Sequence, residues 1–227
     1  MADVEHMKQR ACQRAAQEVQ DGMVLGLGTG STVYYFLHEL GRMVRAGIRL
    51  TGVPTSVRTA EIAIQLAIPL TTLDAQPHLD LAVDGADEVD ANLNLVKGAG
   101  GALLREKIIA ASADRFVVVV DAGKVVTQLG ARYPLPVEVV PFGHTPAIRA
   151  LEGLGARVTL RHGTDGQPWV SDNGNYVLDC RFGPIPDPVA LQKELLAIPA
   201  VVDSGLFLNM TDMAIVGQTD GVRLLQP

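Results

Sequence analysis

The run FVVVV at 116–120 puts five apolar residues in succession, four of them β-branched. A strand points its side chains alternately to two faces, so a run without a polar position is buried on both. Strands of this kind sit inside parallel sheets covered by helices. The surrounding chain repeats the matching pattern. Short apolar segments, MVLGL (23–27), RLTGV (49–53) and LDLAV (79–83), alternate with helix-like stretches. Over 4–20, Val4, Met7, Ala11, Ala15 and Val19 fall near helical spacing, and Asp21-Gly22 closes the helix. From Ser31 or Thr32 onward, Val33, Phe36, Leu37, Leu40 and Val44 make one apolar face. Further helices are expected over 55–66 and 101–113. The fold class is therefore α/β, a mostly parallel sheet with helices on both faces.

The character changes near residue 130. YPLPVEVVPFG (133–143) carries three prolines and reads as a connector holding one strand. A helix (about 145–153), a strand RVTLR (157–161), a hairpin around SDNGN (171–175), a helix (188–197) and a strand near 200–207 follow. These predict a small α+β unit with an antiparallel sheet. MAIVGQTDGVRLL (213–225) predicts two strands around a TDG turn that return to the first unit. The expected division is residues 1–129 with 206–227 as the catalytic domain, and 130–205 as the small α+β domain.

Composition removes several classes of function. Hydrophobic residues are 48% of the 227, which suits a globular chain. No apolar run approaches the roughly 20 residues that span a bilayer, and the charged start MADVEHMKQR lacks the apolar core of a signal peptide. A cytoplasmic protein is expected. The net charge of −6 disfavours nucleic acid as a partner. The two cysteines, Cys12 and Cys180, are too few for a disulfide framework and read as reduced, partly buried thiols.

Three loops at apparent strand ends carry the chemistry. In GLGTGST (26–32), glycines let backbone N–H groups approach an anion, the following helix N-terminus favours negative charge, and Ser31 and Thr32 add hydroxyls. The loop has neither the lysine of a Walker motif nor the glycine spacing of a dinucleotide fingerprint. A tight turn with Ser31 as helix cap would use the same residues. VDGADEVD (83–90) crowds Asp84, Asp87, Glu88 and Asp90. That is compatible with an exposed turn, a divalent-metal site or acid–base work, although no carboxylate–histidine cluster or EF-hand spacing supports a metal. The five histidines are scattered. KGAGGALLREK (97–107) puts Lys97 before a second glycine loop and Glu106 on the helix behind it, unless Glu106 and Lys107 are only a solvated helix face. Lys124, after FVVVVDAG, and Lys8 could also meet an anion. Phosphate donors, carboxylates and a lysine together suit proton transfer beside the carbonyl of a phosphorylated sugar.

GLGTGST, VDGADEVD, KGAGGALLREK and YPLPVEVVPFG, in this order, closely resemble the type A ribose-5-phosphate isomerases, and the likeness runs over nearly the whole chain. The resemblance implies interconversion of ribose 5-phosphate and ribulose 5-phosphate in the pentose phosphate pathway, without metal or cofactor. It also implies a homodimer or dimer-based oligomer, a Rossmann-like main domain and a ferredoxin-like small one. Matched by motif, Glu106 is the proton-transferring base. Asp84 and Asp87 bind sugar hydroxyls and assist ring opening, with Gly85 and Ala86 between them. Lys97 meets the substrate oxygens, and Gly98, Ala99 and Gly100 line the same loop. Thr29, Gly30, Ser31 and Thr32 form the substrate-binding loop, joined by Lys124 and Lys8. The chain departs from the family's K-G-G-G loop at Ala99. A left-handed backbone there would strain alanine by roughly 1–2 kcal/mol, so an ordinary φ is expected. Leu104 replaces a common threonine and is assigned to packing.

Two other readings use the same residues. A sugar-phosphate sensor would normally carry a DNA-binding module, and about 25 residues before GLGTGST are too few for one. An amino-sugar phosphate deaminase or a CoA transferase would need, respectively, a catalytic histidine near the carboxylates or a nucleotide-sized groove with a nucleophilic glutamate.

Overall fold

The structure, a computed structural model, describes residues 2–227. Its first half alternates helix and strand as α1 (Ala2–Ala16), β1 (Val24–Leu27), α2 (Ser31–Arg45), β2 (Thr51–Pro54), α3 (Val57–Gln65) and β3 (Leu81–Asp84). Two short strands, β4 (Glu88–Val89) and β5 (Leu95–Val96), precede α4 (Leu103–Ala111) and β6 (Phe116–Asp121). Then come β7 (Leu135–Val139), α5 (His144–Gly153), β8 (Arg157–Leu160), β9 (Tyr176–Arg181), α6 (Pro188–Leu196) and β10 (Val201–Ser204). The chain closes with β11 (Leu206–Phe207), β12 (Met213–Gly217) and β13 (Val222–Leu225).

The main sheet has the order β13-β12-β6-β3-β1-β2. Every neighbouring pair is parallel except β12 with β13, the terminal hairpin. The β6 run behaves as its sequence requires. Val117 and Val119 pack with α1 and α2, whereas Phe116, Val118 and Val120 join Ile109 and Ala110 of α4 on the opposite face. All six residues of β6 are buried. A second sheet, β10-β7-β9-β8, is antiparallel and packs its own core against α5 and α6. A third, β11-β5-β4, joins the acidic loop to the segment after β10.

Several boundaries differ from the pattern. The first helix ends at Ala16 and not at residue 20, because three successive i→i+3 bonds tighten residues 17–19. Val19 still reaches the core. The expected strand at 200–207 is two strands, one in the antiparallel sheet and one beside β5. Strands β4 and β5 were not legible, since two residues carry no periodicity. SDNGN is a tight turn, with the Ser171 N–H donating to the Asn175 carbonyl, and it leads into β9.

Candidate active site

The carboxyl ends of β1, β3 and β6, and the loop after β5, surround a cavity of about 560 Å³. Lys97 and Glu106 line its floor, and Asp84 lies behind them against Lys97, each at most 4% exposed. The Lys97 ammonium lies 3.1 Å from Asp84 Oδ2 and 3.3 Å from Glu106 Oε2. It also donates a 2.5 Å hydrogen bond to the Gly85 carbonyl. Three different elements converge here. Asp84 ends β3, Lys97 follows β5, and Glu106 sits in the first turn of α4. The Lys97 backbone N–H is anchored 2.8 Å from the Gly205 carbonyl.

Asp84 is held by backbone donors. Its Oδ1 accepts from the N–H of Thr29 at 3.0 Å and of Gly85 at 2.7 Å. Gly28 makes this contact possible, because a Cβ there would lie 2.2 Å from the Asp84 carboxyl. Apart from the Lys97 ammonium, Asp84 Oδ2 and Glu106 Oε2 have no partner among the described residues. Two carboxylates thus face one cation in a buried site. Burial, then the charge of Asp84, pushes the Glu106 carboxyl up to about 8. Burial also raises Asp84, against the pull of Lys97. Burial alone would lower the Lys97 ammonium, but Asp84 and Glu106 outweigh it and hold it above the ordinary lysine range.

The other carboxylates of VDGADEVD have separate duties. Asp87 accepts from the Ala99 N–H at 2.9 Å and lines the cavity with Gly85 and Ala86. Glu88 is fully buried and accepts from the N–H groups of Gly130, Arg132 and Tyr133. Asp90 closes its own turn by accepting from Asn92 and Asn94. Lys107 does not lie on a solvated face; it is paired with Asp203 and bonded to the Ser204 carbonyl at 2.6 Å.

Also lining the cavity, Gly30 caps α2 with φ 128° and offers no side chain to its first N–H groups. Those donors, with Ser31 and Thr32, open onto the cavity. Lys8 stands beside them, 3.1 Å from Ser31 Oγ. The Thr29 hydroxyl lies among the hydroxyls of Thr55, Ser56 and Thr59 at 2.7–3.0 Å, so its side chain ties β1 to the start of α3. At the far rim, Lys124 stacks on Tyr133 and donates to its hydroxyl at 2.8 Å. Gly98, Ala99 and Gly100 form the near wall. Ala99 has an ordinary φ; the positive values fall on Gly98 (106°) and Gly101 (80°).

Five lining residues were missed in the sequence: Val4, Arg58, Asp121, Gly123 and Tyr133. Asp121 had a usable signal, because it ends β6 as Asp84 ends β3. Tyr133 had none, since Glu88 places its loop from 45 positions away. No histidine among the described residues lines the cavity. Among the described residues no group of three His, Cys, Asp or Glu is placed to hold a metal ion. Both cysteines are buried, and burial pushes their thiols up to about 12, which makes them poor nucleophiles.

Residues 51–221 match the family model for ribose 5-phosphate isomerase A (phosphoriboisomerase A). The chain is 50% identical over 228 residues to ribose-5-phosphate isomerase A of Synechococcus sp. (strain JA-3-3Ab), spanning 100% of this chain and 99% of that one. It is 54% identical over 217 residues to ribose-5-phosphate isomerase A of Roseiflexus sp. (strain RS-1), spanning 95% and 93%. A solved D-ribose-5-phosphate isomerase in complex with phospho-erythronic acid is similar at a TM-score of 0.96 and 43% identity, over 99% of both chains. With the motif loops brought together around one cavity and a family match across most of its length, the chain belongs to the ribose 5-phosphate isomerase A family.

Proposed function

We propose that this chain interconverts ribose 5-phosphate and ribulose 5-phosphate by moving one proton through Glu106. The observation that carries the reading is the Lys97 ammonium, shared by two buried carboxylates beside a cavity that an open helix N-terminus also lines. Glu106 takes the proton from C2 of the open-chain aldose. The released electron pair forms the C1–C2 double bond and moves charge onto O1, beside Lys97. O2 then loses its proton, O1 gains one, and Glu106 returns its proton to C1. The exchange is redox-neutral within one molecule, so no cofactor enters the balance. Asp84 and Asp87 bind sugar hydroxyls and assist ring opening. Lys8, Ser31, Thr32, the α2 N–H groups and Lys124 hold the anionic end. Their distance from the reacting carbons lets phosphate binding position the chemistry. Phospho-erythronic acid, bound by a structural relative, supports this reading. It couples a phosphate to a planar carboxylate, the shape of the two enediolate oxygens.

We take residues 1–129 with 206–227 as the catalytic domain and 130–205 as the small domain. The membership of β7–β10 in a sheet of their own supports that division. A homodimer is the proposed assembly, and light scattering tests it. No helix is long and apolar enough to cross a membrane among the described residues. A cytoplasmic setting follows from the substrate, since phosphorylated pentoses do not cross lipid unaided.

The test is NMR of ribose 5-phosphate with the protein in D₂O containing EDTA. Ribulose 5-phosphate carrying deuterium at C1 is the expected product, because the proton held on Glu106 exchanges with solvent before its return. Binding without conversion would return the chain to the sensor reading, and conversion without label would mean that Glu106 returns the proton before it exchanges with solvent.

A further inference from the structure

Arg161 follows β8 in the antiparallel sheet and reaches across to the cavity loop. Its Nη1 donates to the carbonyls of Gly98 at 2.9 Å and Ala99 at 3.1 Å. The guanidinium is held from the other side. Asp179, directly across the sheet from Thr159, takes its Nε at 3.0 Å and also its Nη2. Trp169 lies 5.8 Å from the guanidinium and packs so closely on Gly101 that a Cβ there would be 2.0 Å from the indole. The side chain of Arg161 is only 16% exposed, and Arg161 does not line the cavity.

These contacts decide which way the loop's peptide groups face. Gly98 to Gly101 form a tight turn closed by a 2.9 Å bond from the Gly101 N–H to the Gly98 carbonyl. In a trans peptide the C=O and the next N–H point in opposite directions. With the Ala99 carbonyl on Arg161, the Gly100 N–H is turned away from the small sheet. That N–H has no hydrogen-bond partner among the described residues, and Gly100 lines the cavity. The Gly98 carbonyl, held in the same way, sends the Ala99 N–H to Asp87.

We infer that Arg161 is a positioning residue for the isomerisation. Clamped by Asp179 and Trp169, it fixes the 98–101 turn so that the Gly100 N–H faces the developing enediolate and Asp87 stays aligned. The inference rests on the enediolate reading above. It assigns to the small sheet a part in turnover without any contact with substrate. A donor held in place before reaction stabilises the transition state more than the ground state. Loosening the clamp should therefore lower kcat more than it raises KM.

The experiment compares wild type, Arg161→Lys and Arg161→Leu for kcat, KM, Tm and inhibition by phospho-erythronic acid. Arg161→Lys keeps a cation for Asp179 but loses the planar fork that spans two carbonyls. It should lose roughly 10-fold in kcat, and Arg161→Leu roughly 100-fold, each with KM within about threefold. The inhibition constant should rise in step with the loss of kcat/KM, because the inhibitor's carboxylate uses the same donor. Arg161→Lys retains the ion pair, so it remains informative if Arg161→Leu fails to fold. Wild-type kcat in a folded Arg161→Lys overturns the inference, as does a fall in kcat with unchanged inhibitor affinity. An inactive wild type would instead remove the functional reading itself.

Discussion

Lys97 Nζ lies 3.3 Å from Glu106 Oε2, with both side chains only 3–4% exposed. The same ammonium serves Asp84. If both acids were ionised, the three groups would sum to −1 with almost no water to screen them. Retaining a proton is the cheaper state, which poises Glu106 between acid and base near neutral pH.

Glu106→Gln keeps the shape of the side chain and removes the base. We expect kcat to fall about 10²–10⁴-fold with KM within a few-fold of wild type. Steady-state kinetics decide it, and a variant within threefold of wild-type kcat would take Glu106 out of the mechanism.

The raised carboxyl also predicts a pH profile. Glu106 must be ionised in the free enzyme to accept the proton, so kcat/KM should climb on an acid limb with its midpoint near 8. In Lys97→Met the cation that opposes this shift is gone. Its residual activity should show the limb displaced further upward, and kcat should be at least about 100-fold lower. A limb that stays in place would mean that Lys97 does not act on Glu106.

Stability should follow the same group with a definite sign. The folded value of Glu106, about 8, stands above its ordinary 4.5, so the native state holds a proton that the unfolded chain releases. Its contribution is fully present below pH 4.5 and is lost as pH rises through 8. Asp84 shifts in the same direction, while the raised Lys97 acts only at more alkaline pH. Glu106→Gln does not carry this loss. Its Tm should move upward relative to wild type by roughly 5 °C or more between pH 5 and pH 8.5. Calorimetry giving a constant difference over that range would refute the burial argument.

Gly28→Ala tests the close approach of β1 to the acid. Its Cβ would lie 2.2 Å from the Asp84 carboxyl, which is fixed by two backbone donors and cannot yield without leaving them. We expect kcat/KM to drop more than about 100-fold. Normal activity in a folded variant would show that Asp84 tolerates displacement.

Lys124→Ala should act on binding. Lys124 lines the cavity, stacked on Tyr133, and makes no contact with the buried triad. KM for the phosphorylated substrate should rise about 10-fold with kcat nearly unchanged. An unchanged KM would exclude contact with the anion.

Local chemistry was legible in the sequence because it is written in neighbours. The valines of β6 announced a strand buried on both faces, the apolar face of α2 announced its helix, and the glycines at 28 and 98 marked where backbone approaches a neighbouring side chain closely. Four spaced motifs were enough to identify the family. Tertiary structure decided which charges meet. The sequence offers Asp84, Asp87, Glu88 and Asp90 as one acidic cluster, yet only Asp84 shares Lys97 with Glu106, and Glu88 instead folds the loop that brings Tyr133 to Lys124. Arg161, which lies 63 positions from the carbonyl it holds, gave no local sign of that role. Spacing along the chain governs helix faces and turns. Burial and the pairing of charge depend on elements that adjoin only when the sheets assemble, and these set the protonation of Glu106.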